Sequence, residues 1–164
     1  MAKKRTPVDR DPLTEARVLD EAWALPAWHG PNLRAAVRGV TATQAAWRPA
    51  PGRHSIWELV RHLGYWTFIA RRRLGQATGR FPYKGTNWFA CPDTPDERAW
   101  RADVALLAEQ HRLLREAVAS AGRPSPRAII RTAEERARLL LGITCHAMYH
   151  AGQIQLLKRL QSSR

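Results

Sequence analysis

A chain of 164 residues with 45% apolar content and seven Trp fits one folded domain better than a disordered tail. Its two Cys are too few for a disulfide framework, which favours a cytoplasmic protein, and no apolar run predicts a membrane span. The net charge of +13 comes mainly from Arg spread along the chain. We therefore expect a basic rim that attracts small anionic substrates, and not specific nucleic-acid binding.

The N-terminal part predicts a leader, then helices and a connector. Residues 1–10 are basic and lack the apolar stretch of a signal peptide, so they are predicted to be a mobile leader before a single domain over 11–164. Helices are expected at 12–25 and around 31–40. Pro and Gly residues in 41–54 predict a connector between that helix and the next.

Three later helix starts share a capping box, in which a Ser or Thr caps the helix and the Glu three residues later bonds back to it. The motifs are Ser55-Ile56-Trp57-Glu58, Thr94-Pro95-Asp96-Glu97 and Thr132-Ala133-Glu134-Glu135. They predict helices over 55–75, 94–120 and 132–160. Since strand-like alternation is scarce, the sequence predicts an all-α fold.

The segment 77–93 contains Gly and Pro residues that predict a long loop. It also contains four aromatic residues, which a polar loop does not need: Phe81, Tyr83, Trp88 and Phe89. We expect these side chains to fold back over the bundle, next to a pocket.

The last predicted helix carries two histidines four residues apart, His146 and His150, on one helical face. They fall on an apolar stripe that also contains Leu139, Ile143, Ile154 and Leu157. Buried imidazoles without partners are costly, whereas metal-bound imidazoles are satisfied. The pattern favours a metal site over its alternative, a histidine pair at a subunit surface or in a polar network.

Other polar residues have positions from which they can join such a site. His62 borders the apolar face of helix 55–75 and can complete a three-histidine site with open coordination positions. His111 lies on the apolar stripe of helix 94–120, as a ligand, a supporting partner or an ordinary core residue. Glu58, one turn before His62, reaches the metal region or is consumed by its capping box. Gln153 follows His150 by three residues and can orient a ligand or water.

The surroundings of the site are predicted from helix register. Arg61 and Arg71 to Arg73 are candidates for the basic rim, and Trp66 and Trp88 for pocket walls. Cys145 lies about 100° around the helix from His146, so we expect a small buried residue and not a ligand.

Two longer segments, His54 to Leu63 and Gly142 to Ile154, resemble the DinB/YfiT-like metalloenzyme superfamily, as do the shorter segments Trp28 to Asn32 and Asn87-Trp88. The resemblance implies an up-down-down-up four-helix bundle, often a homodimer. It places a divalent metal, Zn or Ni, on His62, His146 and His150. One common family pattern has an Asp where this chain has Ala147, which removes a candidate acceptor for a ligand imidazole.

The resemblance also implies a small-molecule substrate. Its first implication is a thiol S-transferase that conjugates a low-molecular-weight bacterial thiol to an electrophile. The alternatives are a metal-dependent hydrolase and a non-enzymatic metal-binding protein of the stress response.

Overall fold

The computed structural model describes residues 12–119 and 125–162, and within these ranges all regular structure is helical. The helices are α1 (Pro12–Trp23), α2 (Leu33–Val37), α3 (Ala42–Ala46), α4 (Ile56–Arg73), α5 (Glu97–Ala119) and α6 (Ala133–Ser162). The prediction of an all-α fold is confirmed. The leader predicted for 1–10 lies outside the described residues. None of the described helices is long and apolar enough to cross a membrane.

The four longest helices pack in a ring. α4 contacts α5 and α6, and α1 closes the ring by contacting the same two helices from the other side. The short helices cover this ring, α2 against α6 and α3 against α4. The central core consists of fully buried apolar side chains from facing helices, among them Ile56, Trp57, Leu63, Leu107 and Ile154.

Capping explains where α4 and α6 begin. Ser55 and Glu58 form the predicted capping box, with each side chain bonded to the backbone N–H of the other residue. Thr132 and Glu135 do the same at the start of α6, with N–H to oxygen distances of 2.9 and 3.1 Å. Both helices therefore start where the sequence predicts them.

The predicted capping box of Thr94 and Glu97 is wrong. α5 is capped instead by Asp96, whose Oδ2 accepts a hydrogen bond from Ala99 N at 2.6 Å. Glu97 does not bond back to Thr94, because its Oε1 accepts from Ala42 N at 2.7 Å, across the bundle at the start of α3. α5 consequently begins at Glu97, and its cap lies two residues after the predicted cap, Thr94.

The N-terminal part also differs from its prediction. The helix expected around 31–40 is reduced to α2, which Asn32 caps. The expected connector 41–54 contains the short helix α3. Its capping box of Thr41 and Gln44 has the usual sequence pattern and went unrecognised.

The long loop 77–93 packs against the bundle. Phe81 and Phe89 are buried and form an aromatic cluster with Phe68 of α4, and Tyr83 packs at its edge. This agrees with the expectation that the loop aromatics fold back onto the helices. Their packing holds the backbone between Tyr83 and Phe89 beside α4.

Candidate metal centre

Three imidazoles from two helices converge on one point. His146 Nε2 lies 3.1 Å from His62 Nε2 and 3.0 Å from His150 Nε2. His146 and His150 are one turn apart on α6, and His62 faces them from α4. Within the described ranges these three residues are the one cluster of His, Cys, Asp or Glu side chains with donor atoms close enough to share a metal ion.

Burial keeps these imidazoles neutral. His62 and His150 are each 5% exposed, and His146 is partly buried. Desolvation lowers the pKa of His62 and of His146 to about 4, and it also lowers the pKa of His150. Near pH 7 each ring therefore has one nitrogen lone pair free to bind a metal.

Hydrogen bonds decide which nitrogen carries the proton in two of the rings. His62 Nδ1 is 2.7 Å from the carbonyl oxygen of Asn87, which only accepts, so Nδ1 donates and Nε2 keeps its lone pair. His150 Nδ1 is 2.6 Å from Gln153 Oε1. The Gln153 amide is oriented in turn, because its Nε2 donates to the Tyr149 hydroxyl at 3.0 Å. Ligating histidines are usually held by such partners.

The third ring lacks this support. His146 Nδ1 is buried and has no hydrogen-bond partner among the described residues. Ala147, the next residue, has no side-chain acceptor to offer. The tautomer of His146 is therefore not fixed by the protein as those of the other two are.

The donor set fits a divalent transition metal. Three lone pairs directed at one another across 3.0–3.1 Å repel, and a single proton on His146 relieves only one of the two contacts. A metal 2.0–2.1 Å from each nitrogen would place neighbouring donors about 3.3 Å apart in a tetrahedral arrangement. The observed spacings are close to this value, and imidazole donors suit divalent transition metals such as Zn, Cu, Fe and Ni.

A cavity of about 720 Å³ opens onto the cluster between α4 and α6. His62 and His146 form part of its lining, whereas His150 does not. Trp66 lines this cavity, with its ring centre 6.3 Å from that of His62 and 6.4 Å from that of His146. This cavity therefore reaches the shared nitrogen centre on the side of His62 and His146, and a second cavity of about 540 Å³ is lined by His150 and Gln153.

The sequence model of the DinB superfamily matches residues 27–154, more than three quarters of the chain. The chain belongs to the DinB superfamily. The match extends from the segment before α2 to four residues past His150 on α6, so the DinB-superfamily region includes all three histidines. No curated protein and no solved structure matches the chain.

In this DinB-superfamily protein the loop 77–93 clamps one of the three histidines. The Trp88 ring is stacked between two imidazoles, with ring centres 3.8 Å from His62 and 3.6 Å from His54. The neighbouring residue, Asn87, supplies the carbonyl that accepts from His62. Sequence reasoning proposed Trp88 as a wall but missed Asn87, whose contribution is a backbone oxygen that no side-chain pattern reveals.

Arg61 anchors that loop, and the expectation that it lies on the pocket rim is wrong. Its Nε donates to Asp103 Oδ2 at 2.8 Å, Nη1 donates to the Ala90 carbonyl, and its guanidinium lies 4.3 Å from the centre of the Tyr83 ring. The Tyr83 hydroxyl also donates to Asp103. The side chain of Arg61 is only 10% exposed.

Glu58 and His111 are placed outside the cluster. Glu58 is consumed by its capping box and by Arg48, whose Nη2 donates to its Oε1 at 2.6 Å. His111 stacks on Trp23 of α1 with ring centres 4.9 Å apart, and its Nε2 is 3.4 Å from Asp20 Oδ1. Its contacts are thus those of a core histidine between α1 and α5.

The first half of α6 departs from the predicted core stripe. Leu140 and Thr144 are the buried positions there, whereas Leu139 and Ile143 are partly exposed and line the cavity. Periodicity does not separate a core face from a cavity wall, because both are apolar. Cys145, expected to be buried, is exposed.

Proposed function

We propose that this chain holds a divalent transition metal, Zn or Ni, on His62, His146 and His150, and that it is a thiol S-transferase for a low-molecular-weight thiol. The observation that carries the proposal is the convergence of three neutral Nε2 atoms in a pocket, two of them with fixed tautomers. A metal held by three imidazoles keeps open positions and lowers the pKa of a thiol or of water.

The protein orients the three imidazoles, surrounds one of them with apolar surface and provides a cavity that leads to the site. Asn87 and Gln153 keep the protons of His62 and His150 on Nδ1, away from the shared centre. Trp66 and Trp88 surround the His62 ring with apolar surface, which strengthens electrostatic interactions at the site. In the proposed reaction the thiol releases its proton to solvent water, its sulfur forms a bond to an electrophilic carbon, and the bond from that carbon to the leaving group breaks, so that the leaving group departs with the electron pair.

The positions of the nearby carboxylates, distant from the histidines or bonded elsewhere, favour thiol transfer over hydrolysis. Hydrolysis commonly uses a general base beside the attacking water. The sole carboxylate in the described lining is Glu135, eleven residues before His146 on α6 and so about 16 Å along the helix. Glu58, the nearest acid before His62 in sequence, is committed to Arg48 and Ser55. A thiol needs only to be deprotonated and positioned.

Metal content tests the proposed site. Untagged wild-type protein should contain about one equivalent of Zn or Ni by elemental analysis, and His150→Ala should lose it. His29→Ala is the matched control, since it removes an exposed histidine and should keep the metal. Equal metal in all three proteins, or none after incubation with Zn²⁺ and Ni²⁺, would contradict the proposal.

Turnover is tested separately on metal-loaded protein with a panel of bacterial thiols and an electrophile such as a halogenated nitrobenzene. Product that forms with wild type and not with His150→Ala supports the transferase. Metal binding without turnover of any thiol or ester substrate would leave the non-enzymatic metal-binding protein as the better account. The homodimer, the small-molecule substrate and the cytoplasmic location stay predictions.

A further inference from the structure

The cavity beside the histidines is elongated, and we name it the α4–α6 channel. Along α4 its lining runs from His62 to Arg73, and along α6 from His146 back to Glu135. At 1.5 Å per residue each of these segments rises by about 16 Å. Residue numbers rise along one helix and fall along the other in the same direction, so the two helices are antiparallel and both bound the channel over its length.

The middle of the channel is apolar. Between its two ends the lining consists of hydrophobic side chains with one aromatic wall: Trp66, Ile69, Ala70, Leu139 and Ile143. Its volume of about 720 Å³ lies within the usual range for sites that enclose a small organic molecule. An apolar stem bound along this surface would remove apolar area from water, which contributes favourable free energy to binding.

The end away from the histidines carries two arginines whose side chains have no hydrogen-bond or ion-pair partner among residues 12–119 and 125–162. These are Arg73 and Arg138, both exposed. Other arginines of the same helices are engaged: Arg71 donates to Gln110 Oε1 at 2.8 Å, and Arg136 donates to Glu15 Oε2 at 2.8 Å.

One acidic residue, Glu135, also lines this end. Its Oε2 accepts from the backbone N–H groups of Arg131 and Thr132 at 2.8 and 2.9 Å, so it serves the start of α6. Arg73, Arg138 and the hydrogen-bonded Glu135 together give this end of the channel a net positive charge, which attracts an anion.

We propose that the α4–α6 channel binds an elongated organic anion, with its apolar stem along Trp66 and Ile143 and its carboxylate at Arg73 and Arg138. The other end of the molecule then points at His62 and His146. This deepens the proposed function, on which it rests for the role of the bound molecule as a substrate. The binding itself depends on the channel and the two arginines.

A structural role is the competing explanation for one of the arginines. Arg73 lies in the last turn of α4, where a positive charge interacts favourably with the helix dipole without any ligand. Such a role predicts lower stability on substitution and no change in anion binding. The two explanations therefore differ in a measurable quantity.

The test uses protein as isolated and calorimetric titration with hexanoate, octanoate and 1-octanol. Octanoate should bind wild type more tightly than either 1-octanol or hexanoate, because it has both the charge and the longer stem. Arg73→Gln/Arg138→Gln should weaken octanoate by about tenfold or more. Arg72→Gln/Arg98→Gln removes the same charge from exposed positions outside the channel and should stay within about twofold of wild type.

A second pair of variants locates the ligand. A Cβ added at Gly142, which lines the channel, meets no atom within 4 Å, so Gly142→Phe introduces its ring at the channel wall with no clash at Cβ. It should abolish octanoate binding. Gly152→Phe, on the same helix and equally unobstructed, lies outside this lining and should leave binding intact.

The outcomes separate this inference from the metal proposal. Three results would overturn the inference: no octanoate binding, octanoate binding no tighter than that of 1-octanol, or octanoate binding that is unchanged in Arg73→Gln/Arg138→Gln. Unchanged binding in that variant would mean that the carboxylate binds elsewhere, at a metal for example. Metal content measured on the same preparations tests the other proposal. Arginine-dependent binding in protein that cannot hold metal keeps the channel and rejects the metalloenzyme.

Discussion

Replacing Gln153 by leucine should weaken metal binding by roughly tenfold to a hundredfold. The change removes the one described acceptor of His150 Nδ1, 2.6 Å away, and leaves a side chain of similar length. The ring then has two options. It keeps the proton on Nδ1, where the buried donor is unsatisfied at a cost of about 1–3 kcal/mol, or it moves the proton to Nε2, where it blocks the metal.

Both options reduce affinity by the same order. A tenfold to hundredfold loss corresponds to about 1.4–2.7 kcal/mol, which matches the cost of one buried unsatisfied donor. The effect should be partial, because His62 keeps its own acceptor at Asn87. His150→Ala, which removes the donor atom itself, should cost more than Gln153→Leu.

Competition with a chromophoric chelator for Zn²⁺ and Ni²⁺ measures the affinities. Gln155→Leu is the matched control: it lies on the same helix, is partly buried, and has no hydrogen bond to a ligand histidine. Gln153→Glu keeps an acceptor and should retain affinity. Wild-type affinity in Gln153→Leu, with circular dichroism showing intact helices, would refute the assignment of Gln153 as the residue that fixes His150.

Two further predictions concern stability. Gly75→Ala should destabilise the fold by more than the roughly 1–3 kcal/mol typical of a left-handed non-Gly residue, because the new Cβ would lie 2.6 Å from Ala128 N. Gly52→Ala is the control, since Gly52 has the same φ of 72° but lies in open space. In chemical denaturation this control should show the conformational cost alone. Burial lowers the pKa of His111 below its ordinary value of 6.5. As the pH falls, the unfolded chain therefore binds a proton at this imidazole before the folded protein does. The contribution of His111 to stability is present above about pH 6.5 and is lost as the pH falls. His111→Phe keeps the stacking and should lose less stability than wild type between pH 7 and 5; equal losses would show that His111 does not titrate as described.

Local signals predicted the long helices well. The boxes of Ser55–Glu58 and Thr132–Glu135 mark the starts of α4 and α6, because a capping box is complete within four residues. The failure at Thr94 has a non-local cause. Glu97 bonds to Ala42, which is 55 residues away in sequence, and no short motif reveals that competitor.

The sequence predicted that the three histidines meet, but it predicted only part of the hydrogen bonding that holds them. The spacing of His146 and His150 is a helical property, and His62 needed only a facing helix. The acceptor for His62 is a loop carbonyl, 25 residues along the chain, and the partner of Arg61 is 42 residues away. Sequence-adjacent guesses therefore found Gln153 and missed Asn87.

The Arg excess shows why net charge alone does not identify a partner. The sequence suggested one basic rim, but the structure divides the arginines by environment. Arg61 is a partly buried anchor of the loop 77–93, and Arg136 joins α6 to α1 through Glu15. These guanidiniums are neutralised by protein carboxylates and contribute little to an external field. The net charge of +13 thus overstates the positive charge that a nucleic acid would meet. Arg73 and Arg138, whose side chains have no partner in the part of the chain that the structure describes, are two charges at one end of one cavity. This arrangement suits a small anion better than a phosphodiester backbone.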